Sequence, residues 1–494
     1  MQAWVTEELE SSDIGDERLD RRYHVLLDTL SRKPSVSIPT ACNGWTETQA
    51  AYRFFASDRV DEESVLYPHR NATLKRIEQQ DVVLLVQDTT EIDVTRPEQQ
   101  MEGAGPLSDQ SHLGFYDHAM LAITPDRVPL GVVYVDIWAR DSEEFEENKK
   151  LGERGKQTKR KGRQIEDKES FRWLQGYREA CAVAAETPTT RIVCISDSEG
   201  DIYECFTEAV RDCEAGPPPA HWIVRACQNR SLSSTSDAPN LQRLWTAMAA
   251  SKVVQTLEVE VSKNRPQSND DRKRKQPRSA RTTTVTVQAS RVTLRAPARR
   301  GVQLPDVEVN AILVREVNAP QGEEPIEWLL LTSLPIDSSA DICLVIQYYC
   351  CRWQIEIYFR VLKSGCKVEE RQFESAERYK ACLTCYMIIA WRVLYVMMLG
   401  RTCPDMPCDV VLTEDEWKSV YMIVEKVEPP KKAPSLGTMV LKIARLGGHL
   451  GRKHDGPPGP KTMWIGMQRM MDYAEAWRTF RTAPPGSRTR GICV

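Results

Sequence analysis

Histidine is scarce in this chain, with seven in 494 residues, and none pairs at metal-ligand spacing near the acids discussed below. A zinc enzyme built on histidine is therefore a poor fit. The Gly-x-x-x-x-Gly-Lys-Ser/Thr loop is missing, which excludes a P-loop NTPase. So is the Gly-x-Ser-x-Gly elbow of the α/β-hydrolases. Asp88-Thr89-Thr90 lacks the second aspartate, two residues on, that a haloacid-type phosphatase needs. There is no internal repeat, and no basic-then-apolar leader at the N-terminus. Charge of one sign is also lacking: 66 Lys and Arg stand against 70 Asp and Glu, a net charge of -4. Bulk charge thus gives no sign of a nucleic-acid partner.

The distribution of charge is more informative. An acidic run (Asp141, Glu143, Glu144, Glu146, Glu147) leads into a basic one from Lys149 to Arg163, and a second basic cluster spans Arg272 to Arg281. A single cluster reads as a solvated loop, but two of them flanking acid-bearing segments suit a phosphate-rich partner. With 41% apolar and 28% charged residues the composition is globular, and the length suggests roughly three domains. Fifteen cysteines without a leader imply free thiols in a reducing compartment. The stretch from Ala381 to Leu399 is long enough to span a bilayer, but Arg392 and Trp391 within it favour a buried helix. Cys382 and Cys385 lie inside that helix, so with Cys403 and Cys408 they read as buried thiols rather than a zinc site.

Asp16 to Leu30, Glu47 to Phe55 and Asp61 to Gln80 read as amphipathic helices carrying Arg18, Arg21, Arg22 and Arg53. Val82 to Val86 is a short apolar run, the mark of a strand buried on both faces, ending at Asp88. Ala119–Ile123 and Gly131–Val135 form a hairpin about Pro125-Asp126-Arg127. A helix over 168–186 and a fourth strand, Arg191–Ile195, ending at Asp197, follow. Three strands, a helix and another strand is the order of a ribonuclease-H-like core. Residues 221–335 read as a β-rich insertion. The expected organisation is α/β, with a helical module over 1–65, a core over 66–380 containing that insertion, and a helical region over 381–494.

Candidate chemistry lies in Tyr349, Arg352, Glu356 and Lys363, at i, i+3, i+7 and i+14. At about 100° per residue these side chains share a stripe about 60° wide if one helix carries them all. Asp88 and Asp197, each closing an inner strand, sit where open α/β sheets put their chemistry. Asp88, Asp197 and Glu356 are all-oxygen ligands, suited to Mg²⁺ or Mn²⁺. Two such ions about 4 Å apart activate an attacking oxygen and stabilise a leaving one. Each aspartate also has a plain alternative as a cap, and Asp93, Glu199 and Asp201 compete with them. A paired-carboxylate glycosidase leaves the arginine and lysine unexplained.

Tyr-x2-Arg-x3-Glu-x6-Lys, Asp88-Thr-Thr and Asp197-Ser-Glu-Gly-Asp-Ile, in that setting, resemble the bacterial cut-and-paste DDE transposases of the insertion-sequence-four group. Gln49 to Phe54, Lys168 to Trp173, Glu327 to Thr332 and Ile443 to Gly448 extend the likeness over nearly the whole chain. The resemblance implies a helical end-recognition module, a ribonuclease-H-like core and a C-terminal dimerisation domain. It also implies magnesium-dependent nicking, hairpin formation and opening, and strand transfer, performed by a homodimer on the element's terminal inverted repeats and on target DNA. It assigns Asp88, Asp197 and Glu356 to the metals and Tyr349, Arg352 and Lys363 to phosphates. Trp328 would stack on a flipped base, and Arg225, Arg230, Arg53, Arg21 and Arg22 would touch DNA. The alternative is a catalytically weak, transposase-derived DNA-binding protein or inhibitor.

Overall fold

Short polar caps and β-branched runs set the element boundaries. Asp16 accepts the Arg18 N–H at 2.8 Å and opens a helix. Asp61 and Ser64 form a reciprocal capping box that opens another. The computed structural model describes the chain except residues 43, 110, 153–154, 156–162, 212–219, 234–241, 262–278, 300, 453 and 483–494, and the side chains of 211, 261 and 482. Most of both basic clusters, and the tail after Ala483, lie outside the described residues.

In chain order the elements begin with α1 (Ala3–Glu8), α2 (Glu17–Arg32), α3 (Ile38–Cys42), α4 (Trp45–Phe55) and α5 (Glu62–Ile77). Then come β1 (Val82–Asp93), β2 (Gly105–Pro106), β3 (Leu113–Ile123), β4 (Pro129–Trp138), α6 (Ser142–Lys150), α7 (Phe171–Glu186), β5 (Arg191–Ser196), α8 (Tyr203–Arg211) and β6 (His221–Arg225). They continue with α9 (Leu244–Ala250), β7 (Val253–Val261), β8 (Arg281–Leu294), β9 (Val307–Glu316), β10 (Glu327–Thr332) and α10 (Ser339–Cys350). The last are α11 (Trp353–Arg360), α12 (Ala376–Thr402), α13 (Glu414–Glu425), α14 (Leu436–Leu446) and α15 (Pro460–Thr482).

The chain divides into two compact units: Met1–Gln79, Thr89–Glu146 and Trp353–Val494 in the first, Gln80–Asp88 and Glu147–Arg352 in the second. In the first, β3 pairs antiparallel with β4 as the expected hairpin. α12 is the central helix, packed against α5, β4, α14 and α15. Its apolar stretch is buried inside the protein, as its arginine suggested. Burial pushes the Cys382 thiol up to about 12, so it is protonated at neutral pH. A buried polar knot ties α1, α5, β4 and α12. The Glu8 carboxylate accepts from His69 Nδ1 at 2.6 Å and from Arg76 at 2.6 Å. His69 Nε2 accepts the Val132 N–H at 3.0 Å, and Arg76 lies over the Trp391 ring.

In the second unit β1 runs parallel to β5, with Val82 opposite Arg191 and Val86 opposite Ile195. β5 runs parallel to β6. α7 packs on β5 as the crossover a parallel pair requires. Beyond β6 the strands turn antiparallel, in the order β10, β9, β8, β7. The sheet is therefore mixed. The β-branched stretches at 282–287 and 292–294 lie in one strand, β8.

Two expectations need correcting. β1 does not stop at Asp88 but continues to Asp93, because Thr89, Thr90 and Ile92 sustain an extended chain through the charge. Asp88 is thus within a strand. Nor do Tyr349, Arg352, Glu356 and Lys363 share one helix. α10 ends at Cys350, Arg352 lies in the turn, α11 carries Glu356, and Lys363 sits in a π-helical turn closed by Cys366 N–H on the Val361 carbonyl at 2.9 Å.

Candidate active site

The second unit gathers most of the singled-out residues. Asp88 accepts from Arg352 Nη1 at 3.1 Å, with both side chains largely covered. One turn back on α10, Tyr349 meets the edge of Trp328, ring centroids 5.9 Å apart. Trp328 lies on β10 opposite Val314 and is half-buried. Burial pushes the Tyr349 phenol above its ordinary value; Arg352 and Arg225 pull it down and Asp197 pushes it further up. That one hydroxyl senses all three groups defines a single electrostatic neighbourhood. Arg225 closes β6 opposite Leu330 and makes no ion pair among the described residues.

Asp197 follows β5 directly and caps the short 3₁₀ turn Ser198–Gly200, accepting the Glu199 N–H at 2.7 Å. It is half-buried. The turn needs glycine: a Cβ on Gly200 would stand 2.4 Å from Ser196 Oγ and 3.1 Å from the Trp173 ring. The competing acids have other partners. Asp201 is buried and accepts the Cys227 and Gln228 N–H groups at 2.9 and 2.8 Å and the Arg230 guanidinium at 2.5 Å. Glu199 pairs with Arg172 at 2.9 Å. In the first unit, Asp93 binds Thr95 at 2.6 Å and His112, which together hold its carboxyl below the usual range against the opposing effect of burial.

Arg230 is also closed in: it grips Asp201 and lies over Tyr203 and Phe206, with only 11% of its side chain exposed. Its guanidinium joins two loops, which leaves little of it for DNA. Glu356, in the first unit, is half-buried on α11. Lys363 donates to the Glu91 carbonyl at 2.7 Å and pairs with Glu369 at 3.0 Å. On the N-terminal helices Arg53 is exposed, Arg22 pairs with Glu47 at 2.7 Å, and Arg21 with Glu17 at 3.2 Å. Sequence reading missed the buried His118, whose Nδ1 lies 2.9 Å from the hydroxyl of Thr89, the residue after Asp88. A histidine inside an apolar strand was its only signal.

Carboxylate oxygens suit a hard divalent ion. Among the described residues, however, no three His, Cys, Asp or Glu side chains are gathered closely enough to hold one. Asp88 instead faces a guanidinium.

The site thus sets a strand aspartate against the arginine of a Tyr-x2-Arg-x3-Glu run, with a second aspartate after the adjacent parallel strand. Three family models match the chain in order: "Transposase DNA-binding" over residues 1–60, "Transposase DDE domain" over 219–390 and "Transposase Tn5 dimerisation domain" over 388–485. The chain belongs to the DDE transposases, of the Tn5 type. Its core is accordingly ribonuclease-H-like, its activity is DNA transposition, it binds DNA and it forms dimers. The family uses divalent metal ions. The DDE match includes Tyr349, Arg352, Glu356 and Lys363 but not Asp88 or Asp197.

Proposed function

We propose that this transposase excises a mobile element and inserts it elsewhere. Water nicks the element end, the freed 3′-hydroxyl attacks the opposite strand to close a hairpin, the hairpin is opened, and the end is joined to target DNA. A homodimer would pair two terminal inverted repeats in a synaptic complex, in the bacterial cytoplasm. The division into 1–65 for end recognition, 66–380 for catalysis and 381–494 for dimerisation goes with this reading.

The observation that carries it is the Arg352–Asp88 pair at 3.1 Å, set in the signature between Tyr349 and Glu356. A guanidinium that holds a carboxylate has the fork geometry to hold a phosphodiester. When DNA enters, the scissile phosphate replaces Asp88 as the partner of Arg352, and Asp88 is released. Tyr349, kept protonated by burial, donates its hydroxyl to a phosphate oxygen. Lys363 supplies a point charge. Trp328 stacks on a base turned out of the duplex, an interaction worth about 1–3 kcal/mol. Arg225 and the arginines at 53, 21 and 22 contact the backbone; Arg230 we take as structural. Asp88, Asp197 and Glu356 are the residues that would hold Mg²⁺, with Mn²⁺ a substitute. Such an ion activates the attacking oxygen and steadies the leaving one.

The test is cleavage of a DNA fragment ending in the element's own terminus, with Mg²⁺, by wild type and Glu356→Ala. Hairpin-ended product from wild type alone supports the reading. Binding without cleavage by either protein points to a DNA-binding relative that has lost its chemistry.

A further inference from the structure

β3 sets Asp117 on the same face as Phe115 and Ala119. All three are closed to solvent. Phe115 stacks on Tyr379 of α12, ring centroids 5.4 Å apart, so this face of β3 packs on apolar core. Neither carboxyl oxygen of Asp117 has a hydrogen-bond partner. Two tyrosines feel its charge: Tyr358 of α11, two residues beyond Glu356, and Tyr379. Their hydroxyls are engaged elsewhere, Tyr358 donating to the Met387 carbonyl and Tyr379 to that of Val368, each at 3.1 Å. The charged group beside it on β4 is Asp136, of like sign. Behind Tyr358 stands Cys366, and around Tyr379 stand Cys382, Glu369 and Arg96. None of the groups acting on Asp117 itself is a cation.

An isolated carboxylate in such a place is strongly disfavoured. Burial first, and Asp136 second, push this carboxyl up to about 8. At neutral pH the site therefore holds the neutral acid.

We propose that Asp117 is a proton-linked strut beneath the helix that carries Glu356, so that α11 stays seated on β3 and α12 only while the carboxyl keeps its proton. The functional weight of this inference rests on the transposase reading of Glu356. Any opening that lets water reach Asp117 returns it to the ordinary carboxylate value of 3.8, from about 8. Between those values each opening releases one proton, so the open population rises about tenfold per pH unit and levels off above the upper value.

The test is amide hydrogen exchange of the whole chain at pH 5, 6 and 7, corrected for intrinsic rates. Protection in β3 and α11 should fall about tenfold per unit in wild type and stay flat in Asp117→Asn. Asp117→Val, an apolar residue suited to a buried strand, is the second variant and should also be flat. Equal pH dependence in wild type and both variants would overturn the proposal. Glu356→Ala separates the two readings. It should keep the wild-type exchange profile while losing DNA cleavage. If it cleaves like wild type, the catalytic reading of Glu356 fails and the exchange result still decides the strut.

Discussion

Asp197 and Asp201 stand four residues apart in one turn, and the structure gives them opposite burdens. Asp201→Ala removes a carboxylate that is itself fully covered and leaves the Arg230 guanidinium, only 11% exposed, without its anion. Breaking one partner out of a buried pair costs about 3–5 kcal/mol. The Cys227 and Gln228 N–H groups lose their acceptor too, but both residues are exposed and water replaces it, so little is added. At about 2–4 °C per kcal/mol for a body of this size, the melting transition should drop by roughly 6–20 °C. The assay is scanning calorimetry of the full chain, following the transition that contains the second unit. The double variant Asp201→Ala with Arg230→Met should recover part of the loss, because it removes the stranded charge as well. A loss below about 1 kcal/mol, or a double variant no better than the single one, would refute the reasoning. Asp197→Ala removes only one cap bond, at 2.7 Å from a half-buried side chain. It should cost about 1 kcal/mol yet abolish cleavage.

Two further outcomes are expected. Arg53→Ala should lower DNA affinity across sequences and reduce the slope of log affinity against log salt by about 1, whereas Arg230→Met should leave that slope unchanged; filter binding between 50 and 200 mM salt reads both. The Glu8–His69 knot makes the first unit acid-sensitive. His69 is held below its ordinary 6.5, mainly by burial, so its contribution falls as pH drops beneath that value. Glu8 is held below 4.5: burial alone would raise it, but His69 and Arg76 outweigh burial, so its contribution is lost as pH falls through the folded value. Urea midpoints from pH 7 to 4 should decline in wild type and decline less in His69→Gln, which removes the buried imidazole that must take up a proton on unfolding; equal declines would count against the knot.

How much of this was legible in the residues depends on whether spacing or packing carried the signal. Buried strands such as Val82–Val86 and Arg191–Ile195 announce themselves through continuous apolar runs, because both of their faces are covered. The hairpin of β3 and β4 was legible for a similar reason, from two apolar runs about a turn. Periodicity misled where no glycine or proline marks a break. The turn at Cys351 and Arg352 contains neither, so a helical count runs straight through it and assigns four side chains to one stripe. Whether an acid is a ligand or a strut was also beyond reach, since Asp197 and Asp201 share one loop, and only the backbone amides of Cys227 and Gln228 reveal which of them is committed to the fold.

Asp117 shows the deeper limit. Reading the strand from Ala119 cut the acid off from it, and only the full length of β3 sets it among closed apolar neighbours. A polar residue in a dry strand is costly and invites a search for its proton. Two aspartates of one chain thus answer to opposite physics. Asp88 faces a cation, accepting a hydrogen bond from the Arg352 guanidinium at 3.1 Å. Asp117 is pushed toward the neutral acid by burial first and Asp136 second, and Tyr358 on the helix bearing Glu356 feels its charge. If the exchange experiment bears this out, the reactive centre depends on one charge being held ready and another being held off.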